Sequence, residues 1–390
     1  MYFVTFITKN LIRRPVRTSL TVLGLAVAVG GVVALIGISH NVESSVESSF
    51  DKRRIDLIVT QAGKSAGLNS DFSEDLVDQA RHLPGVALVA EAVVSLMDVT
   101  RKSGNSWQVM LQGWGPDNFG FNDLHILAGR QLQPSDHRKV MLGSTLAQNL
   151  NMGVGDTMVF GRPDPDNLEN QYEVIGVFKS FVVFEDGGAI VNLDDARKLT
   201  SQHVTGFSVQ VKKSQPDSSA EVEVVRRQIE DLRDPNDPSV RLTAQTPETY
   251  INSVSQIKLV RALTWVVSAV GLLIGVIGML NTMVMSVIER TQEIGILRAV
   301  GWPPRRVMLM ILGESVVLGL AAAFLGSIGA VTASYVLTLF PQVNGFIEGG
   351  IAPVVIAEGL GLTILIGLIG GAYPAFRAAR LLPTEALRHD

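Results

Sequence analysis

Four apolar stretches of membrane length punctuate the chain, and the segments between them carry most of its charge. Thr18 to Ser39 runs uncharged through Leu20, Leu23, Val29 and Ile36, and Ala262 to Ile288 is likewise uncharged. Val307 to Leu339 is apolar apart from Glu314, and a fourth stretch covers residues 353–376. A helix needs roughly 20 such residues to cross a bilayer, so each stretch reads as a transmembrane helix. The third is longer than a span requires, which places its first turns at the interface.

Flanking charges set the direction of these spans. Lys9, Arg13, Arg14 and Arg17 precede the first, Arg290, Arg298, Arg305 and Arg306 lie between the second and third, and Arg377, Arg380 and Arg388 follow the fourth. With four spans, all three clusters fall on one side, which the positive-inside rule makes cytoplasmic. Both termini are then expected inside, with residues 1–17 as a cytoplasmic helix and 377–390 as a cytoplasmic tail. A cleaved signal peptide is the rival reading of the first stretch, on the strength of Arg13-Arg14 and the small Gly37 and Ser39. Its apolar region exceeds the usual ~7–15 residues.

Residues 40–258 have a different texture, opening with Glu43, Glu47 and Asp51. Ile55 to Gln61 alternates like a strand, and Asp71 to Leu83 reads as a helix capped by Asp71 or Ser73. Strands are expected over 87–100 and 107–114. Beyond Pro116, a strand at 139–142 leads into a helix at 144–149, followed by strands at 157–160 and 172–178 and a strand and helix over 189–199. A strand at 207–212, a helix at 220–232 and a strand at 241–244 complete an α+β pattern. The simplest parse is one lobe from 45–114 and 206–247, interrupted by a second lobe at 116–204. Pro247 to Lys258 is a polar helical lead-in to the second span. The predicted fold class is therefore membrane α-helical, with four transmembrane helices (18–39, 262–288, 307–339, 353–376) and an extracytoplasmic α+β domain of two lobes inserted between the first and second.

Composition agrees with a chain part embedded and part wet: 47% hydrophobic and 18% charged over 390 residues. A formal net charge of −4 offers no basic surface for nucleic acid. The chain has no cysteine, which excludes disulfides and thiolate chemistry. Gly63-Lys64-Ser65 lacks the glycine of a phosphate loop five residues upstream, where Ile58 stands, and the fingerprint begun by Gly113-Trp114-Gly115 fails at Asn118. The six histidines show no metal-ligand spacing, and no Gly-x-Ser-x-Gly elbow occurs. Nucleotide binding, metal chemistry and an enzyme site are all unsupported; the chain is expected to be non-catalytic.

The stretch from Asn281 to Trp302 passes from the second span into charge and stops before the third. Residues 289–303 read as a short amphipathic helix, with Ile294, Leu297 and Val300 on one face and Glu289, Arg290, Glu293 and Arg298 mostly elsewhere. Gly301, then Pro303 and Pro304, end it. Glu314 is an intramembrane acid, read either as part of a relay or substrate path or as an interfacial or helix-pairing group near Arg305 and Arg306. Asn281 reads as an interhelical hydrogen bond more than a ligand group, and Gly271, Gly275 and Gly278 as small residues that allow helices to approach closely.

Ser286 to Gly301 (SVIERTQEIGILRAVG) and Tyr373 to Arg388 (YPAFRAARLLPTEALR) closely resemble the MacB/FtsX/LolC class of ABC transporter permeases. The opening from Asn10 to Gly24 and the Gly129-Arg130 to Gly155-Asp156 stretch are similar to MacB-type proteins too. The resemblance covers essentially the whole chain. It implies one span, a large two-lobed periplasmic domain, three further spans, and a dimer (of identical or paralogous permeases) seated on two copies of a separate ATPase. ATP and Mg would be bound by that ATPase, with no cofactor in this chain. The segment after the second span would be the coupling helix, so Glu289, Arg290, Glu293, Ile294, Leu297, Arg298 and Val300 carry over as the ATPase contact. The implied action is mechanotransmission in a bacterial inner membrane, moving a lipid, lipoprotein, peptide or drug-like substrate, with a periplasmic adaptor as a further partner. The alternative is an FtsX-like regulator that activates a cell-wall enzyme.

Overall fold

The computed structural model describes residues 15–64, 70–100, 106–161, 170–180, 183–214, 219–235, 237–340 and 350–382. Lys9, Arg13, Arg14, the end of the C-terminal motif from Pro383 to Arg388, and Ser65 lie outside the described residues. The chain forms two compact units. One contains the described residues up to Asn41, Val260–Leu337 and those from Gly350 on; the other contains Val42–Leu259. The boundary falls inside the first helix, α1 (Pro15–Lys52), which continues well past Ser39. Loss of apolar character ends a membrane stretch, but nothing between Ser39 and Lys52 breaks a helix, since Gly and Pro are absent there.

The second unit is built on a single sheet. Its elements are β1 (Leu57–Gln61), α2 (Glu74–Arg81), β2 (Val86–Thr100), β3 (Ser106–Trp114), a 3-10 turn (Phe119–Asp123), β4 (His125–Gly129), β5 (Lys139–Gly143), α3 (Ser144–Leu150), β6 (Thr157–Phe160), β7 (Gln171–Lys179), α4 (Val183–Asp186), β8 (Ala189–Asn192), α5 (Leu193–Thr200), β9 (Gly206–Val211), α6 (Ser219–Glu230), β10 (Leu242–Gln245) and α7 (Pro247–Ser253). Strand order is β10-β1-β9-β2-β3-β8-β5-β7-β4, and β6 pairs with both β2 and β7. That last pairing closes β2, β3, β8, β5, β7 and β6 into a ring of six strands.

Three apolar clusters line this sheet, and the two largest divide it into lobes. In the first, the period-2 pattern of β9 turns Phe207, Val209 and Val211 inward onto Leu76, Val77 and Ala80 of α2 and Val222, Val225 and Ile229 of α6. Ser73 caps α2 by accepting from the Asp75 amide at 3.2 Å. The second core gathers Val93, Val99, Val109 and Leu111 with Val140, Phe160 and Val174. The parse at residue 114 is corrected by this packing: most of β2 and β3 belong to the second lobe's core. β2 is long enough to serve both, pairing β9 along Val86–Ala92 and β3 along Ala92–Thr100.

The first unit holds the remaining helices, α8 (Ser255–Glu289), α9 (Thr291–Ala299), α10 (Pro304–Leu337) and α11 (Pro353–Ala379), together with α1. Four of these five, all but α9, are long and apolar enough to cross a membrane. They pack around Val33, Met283, Ile294, Val307, Ile311 and Ala375, among others. The closest approach of one helix backbone to another is not at the glycines the sequence singles out. A Cβ on Gly326 would lie 2.6 Å from the Ala26 carbonyl oxygen, and one on Gly30 would lie 2.8 Å from that of Gly326, so α1 and α10 meet backbone to backbone. Gly271 and Gly275 do face Val32 and Leu25 of α1, each at 3.2 Å, but a Cβ on Gly278 would meet nothing within 4 Å.

Gly326→Ala is expected to lower the thermal midpoint in detergent, because overpacking against a rigid backbone costs about 1–3 kcal/mol, whereas Gly278→Ala leaves it unchanged or raised through helix propensity. Equal effects of the two substitutions would contradict this packing. A second expectation comes from Asp186, whose carboxyl is buried and is pushed up to about 6 by that burial, against a hydrogen bond from the Ser180 amide at 2.6 Å. A folded value above the unfolded one means the neutral acid is favoured on folding. The contribution of Asp186 to stability is therefore full below about pH 4 and is lost as pH rises through about 6. Asp186→Asn should remove that loss and raise the midpoint at pH 8; identical pH profiles for the two proteins would rule it out.

Candidate functional site

The junction of α8, α9 and α10 brings most of the singled-out residues together. α8 ends at Glu289, and Thr291 Oγ1 donates back to the carbonyls of Val287 at 3.1 Å and Ile288 at 2.8 Å, turning the chain into α9. Between them Arg290 points its guanidinium at α10. Its Nη1 donates to both oxygens of Glu314, at 2.8 and 3.0 Å, and its Nε donates to Glu293 at 3.1 Å. Glu314 is 2% exposed and Arg290 13%. An unpaired acid at this depth would be costly to bury, and one guanidinium offsets that cost while tying α9 to α10. Glu314 is thus ion-paired to Arg290, where the sequence reading set it near Arg305 and Arg306.

The far end of α9 is closed by its own chain. Gly301 takes a positive φ of 99°, its amide donates to the Arg298 carbonyl at 3.1 Å, and the Trp302 amide donates to that of Leu297 at 3.0 Å. This is a Schellman closure, with Leu297 and Trp302 both half-buried against the helix core. Arg298 Nη1 donates to the Trp302 carbonyl at 2.9 Å, so its charge sits on the negative end of its own helix.

This geometry corrects the expected docking face. Ile294 is fully buried within the chain's own helices and Leu297 is half-buried, so of the three apolar residues only Val300 is exposed, at 77%. A short amphipathic helix beside apolar spans satisfies its greasy stripe on them first. The open face is instead Gln292, Glu293, Ile296, Ala299 and Val300. Of the polar residues, Glu289 and Arg298 are half-buried and Glu293 is exposed. Asn281 is exposed on α8, and among the described residues its side chain has no hydrogen-bond partner on another helix.

A second charged centre had no signal in the sequence. In the outer unit Arg53 donates two bonds to Glu185, at 2.7 and 2.8 Å, and one to Asp123 at 3.3 Å, and lies 5.6 Å over the Trp114 ring. Its carbonyl accepts from Gln210 at 2.8 Å, and Ser180 Oγ donates to Glu185 at 2.5 Å. Arg53 therefore binds both lobes from the residue that follows α1. Among the described residues no group of three or more His, Asp and Glu side chains could hold a metal ion.

Residues 18–232 match the family model described as the MacB-like periplasmic core domain, and residues 265–383 match that of the FtsX-like permease C-terminal domain. The chain belongs to the MacB/FtsX-like ABC permeases. Family relatives align along nearly all of it. An uncharacterized ABC transporter permease of Methanocaldococcus jannaschii is 25% identical over 99% of this chain and 98% of its own length. A macrolide export ATP-binding/permease protein, MacB of Bdellovibrio bacteriovorus, is 25% identical over 98% of this chain, which spans 61% of that relative's length. The solved periplasmic region of MacB from Actinobacillus actinomycetemcomitans aligns with 52% of this chain and 94% of its own, at 14% identity and a TM-score of 0.40. The family is one of multi-pass membrane permease subunits, which are generally non-catalytic.

The buried pair generates a double-substitution test. Arg290→Leu or Glu314→Leu alone strands a charge and is expected to cost about 3–5 kcal/mol, whereas the double variant recovers most of that stability. Thermal midpoints in detergent measure this. Additive losses would show that the two side chains do not act as a pair.

Proposed function

We propose that this chain is the permease subunit of an ABC transporter, driven by a separate ATPase that binds ATP and Mg and docks on the exposed face of α9. Two copies of the permease, or one copy and a paralogue, sit on two ATPase subunits in the inner membrane, with both termini and α9 in the cytoplasm and the outer unit in the periplasm. ATP-driven closure of the ATPase moves α8 and α1 and so the periplasmic unit. That motion exports or hands off a lipid, lipoprotein, peptide or drug-like substrate, alongside a periplasmic adaptor where the system has one.

The observation that carries this reading is α9 itself. It is short, is pinned at its start to α10 by Arg290 and Glu314, is closed at its end by Gly301 and Trp302, and presents an open stripe with Ile296 52% exposed between Glu293 and Val300. A helix held at both ends transmits force without bending, and an exposed apolar residue among polar ones suits a protein contact. The basic clusters around it support the cytoplasmic side.

Ile296→Arg and Val300→Arg, each on a side chain already facing solvent, should leave the fold intact. Each should weaken co-purification with the ATPase by at least about tenfold, equivalent to roughly 1.4 kcal/mol of binding free energy. ATPase stimulation by the permease should fall in parallel. Complex formation and stimulation at wild-type levels in both variants would remove the basis for the reading.

A further inference from the structure

Four arginines collect at one end of the α10–α11 pair. The two helices run antiparallel in a register marked by Gly319 against Thr363, Gly367 against Ser315, and Gly371 against Ser315 and Leu312. Continued toward the start of α10, that register sets Arg305 and Arg306 level with Arg377 and within a turn of Arg380. All four are exposed, and none has a carboxylate partner among the described residues. In this they differ from Arg290 in the same unit and from Arg53, Arg81, Arg130, Arg197 and Arg226 in the outer one, each of which is ion-paired.

Two of the four are also held in place. The Arg306 guanidinium lies 4.4 Å over the Trp302 ring, and that of Arg380 lies 4.1 Å over Phe376. A guanidinium held over an aromatic ring by its cation–π contact still has N–H donors free for a second acceptor. Trp at the end of an apolar span belongs at headgroup height. The level of the cluster is thus that of lipid phosphates, and its unused donors are suited to a phosphodiester.

We propose that this end of the helix pair is a binding site for the headgroup of an anionic phospholipid, with Arg306 and Arg380 as oriented donors and Arg305 and Arg377 completing the charge. It rests on the four membrane helices alone and is independent of the coupling reading, since none of the four arginines lies on the exposed face of α9. An acidic patch on a protein is the competing occupant. The aromatics at the ends of apolar helices favour lipid, because a protein contact would not require the donors at headgroup depth.

The full chain, purified in mild detergent, would be exposed to equal amounts of phosphatidylglycerol and phosphatidylcholine, and the retained lipid counted by native mass spectrometry. The wild type should retain the anionic lipid in preference. Arg306→Gln/Arg380→Gln should lower that preference by about tenfold or more, at roughly fivefold per arginine. A variant that keeps Arg306 and Arg380 and replaces Lys52 and Lys64 in the outer unit should behave as wild type. Equal retention of the two lipids by the wild type, or an unchanged preference in the double variant, would overturn the site. So would a double variant that keeps its lipid preference and instead loses the ATPase.

Discussion

A carboxylate buried among apolar helices must find a cation, and at this junction the Arg290 guanidinium supplies one. Arg290 reaches Glu314 on α10 and Glu293 on α9 at once. The position of α9 follows from that demand, since Arg290 is the residue immediately before it. With α9 so placed, Ile294 falls into the helix core and Gln292, Ile296 and Val300 are turned out. The amphipathic pattern alone allowed either face to point away from the chain; the ion pair decides it.

The membrane part was legible because a bilayer imposes a length and an apolar composition that no soluble helix needs to satisfy. The helix at α9 and its stop at Gly301 were legible for a local reason as well, a glycine with positive φ closing an amphipathic turn. Which glycines pack was not, because Gly326 and Gly278 look alike in a sequence and differ only in what the neighbouring helix brings opposite them. Arg53 was invisible for the same reason: Asp123, Glu185 and Gln210 are distant in the chain, and no local pattern announces them. The lobe boundary was misplaced because β2 is one uninterrupted strand, and an unbroken apolar alternation hides the point where it changes partners.

The outer unit achieves its two largest cores with a single sheet by curling half of it. Once β6 joins β2 to β7, Val99, Phe160 and Val174 pack in a core bounded by the ring of strands and by Leu146, Ala147 and Leu150 of α3. The first lobe instead relies on α2 and α6 to cover its face. Arg53 is hydrogen-bonded to groups of both lobes, so the two cores are joined by charge and backbone pairing more than by a shared apolar surface.

The ring has a consequence for assembly. Strands within it have both backbone edges paired, which leaves β10 and β4 as the open margins of the sheet among the described residues. β10 is only four residues long, and β4 carries an irregularity at Leu127 that breaks its register with β7. Short and bulged margins are poor templates for an added strand. Contacts made by this unit with other molecules are thereby steered away from β-augmentation and toward its side chains, whose identities can vary from one permease to the next without disturbing the scaffold beneath.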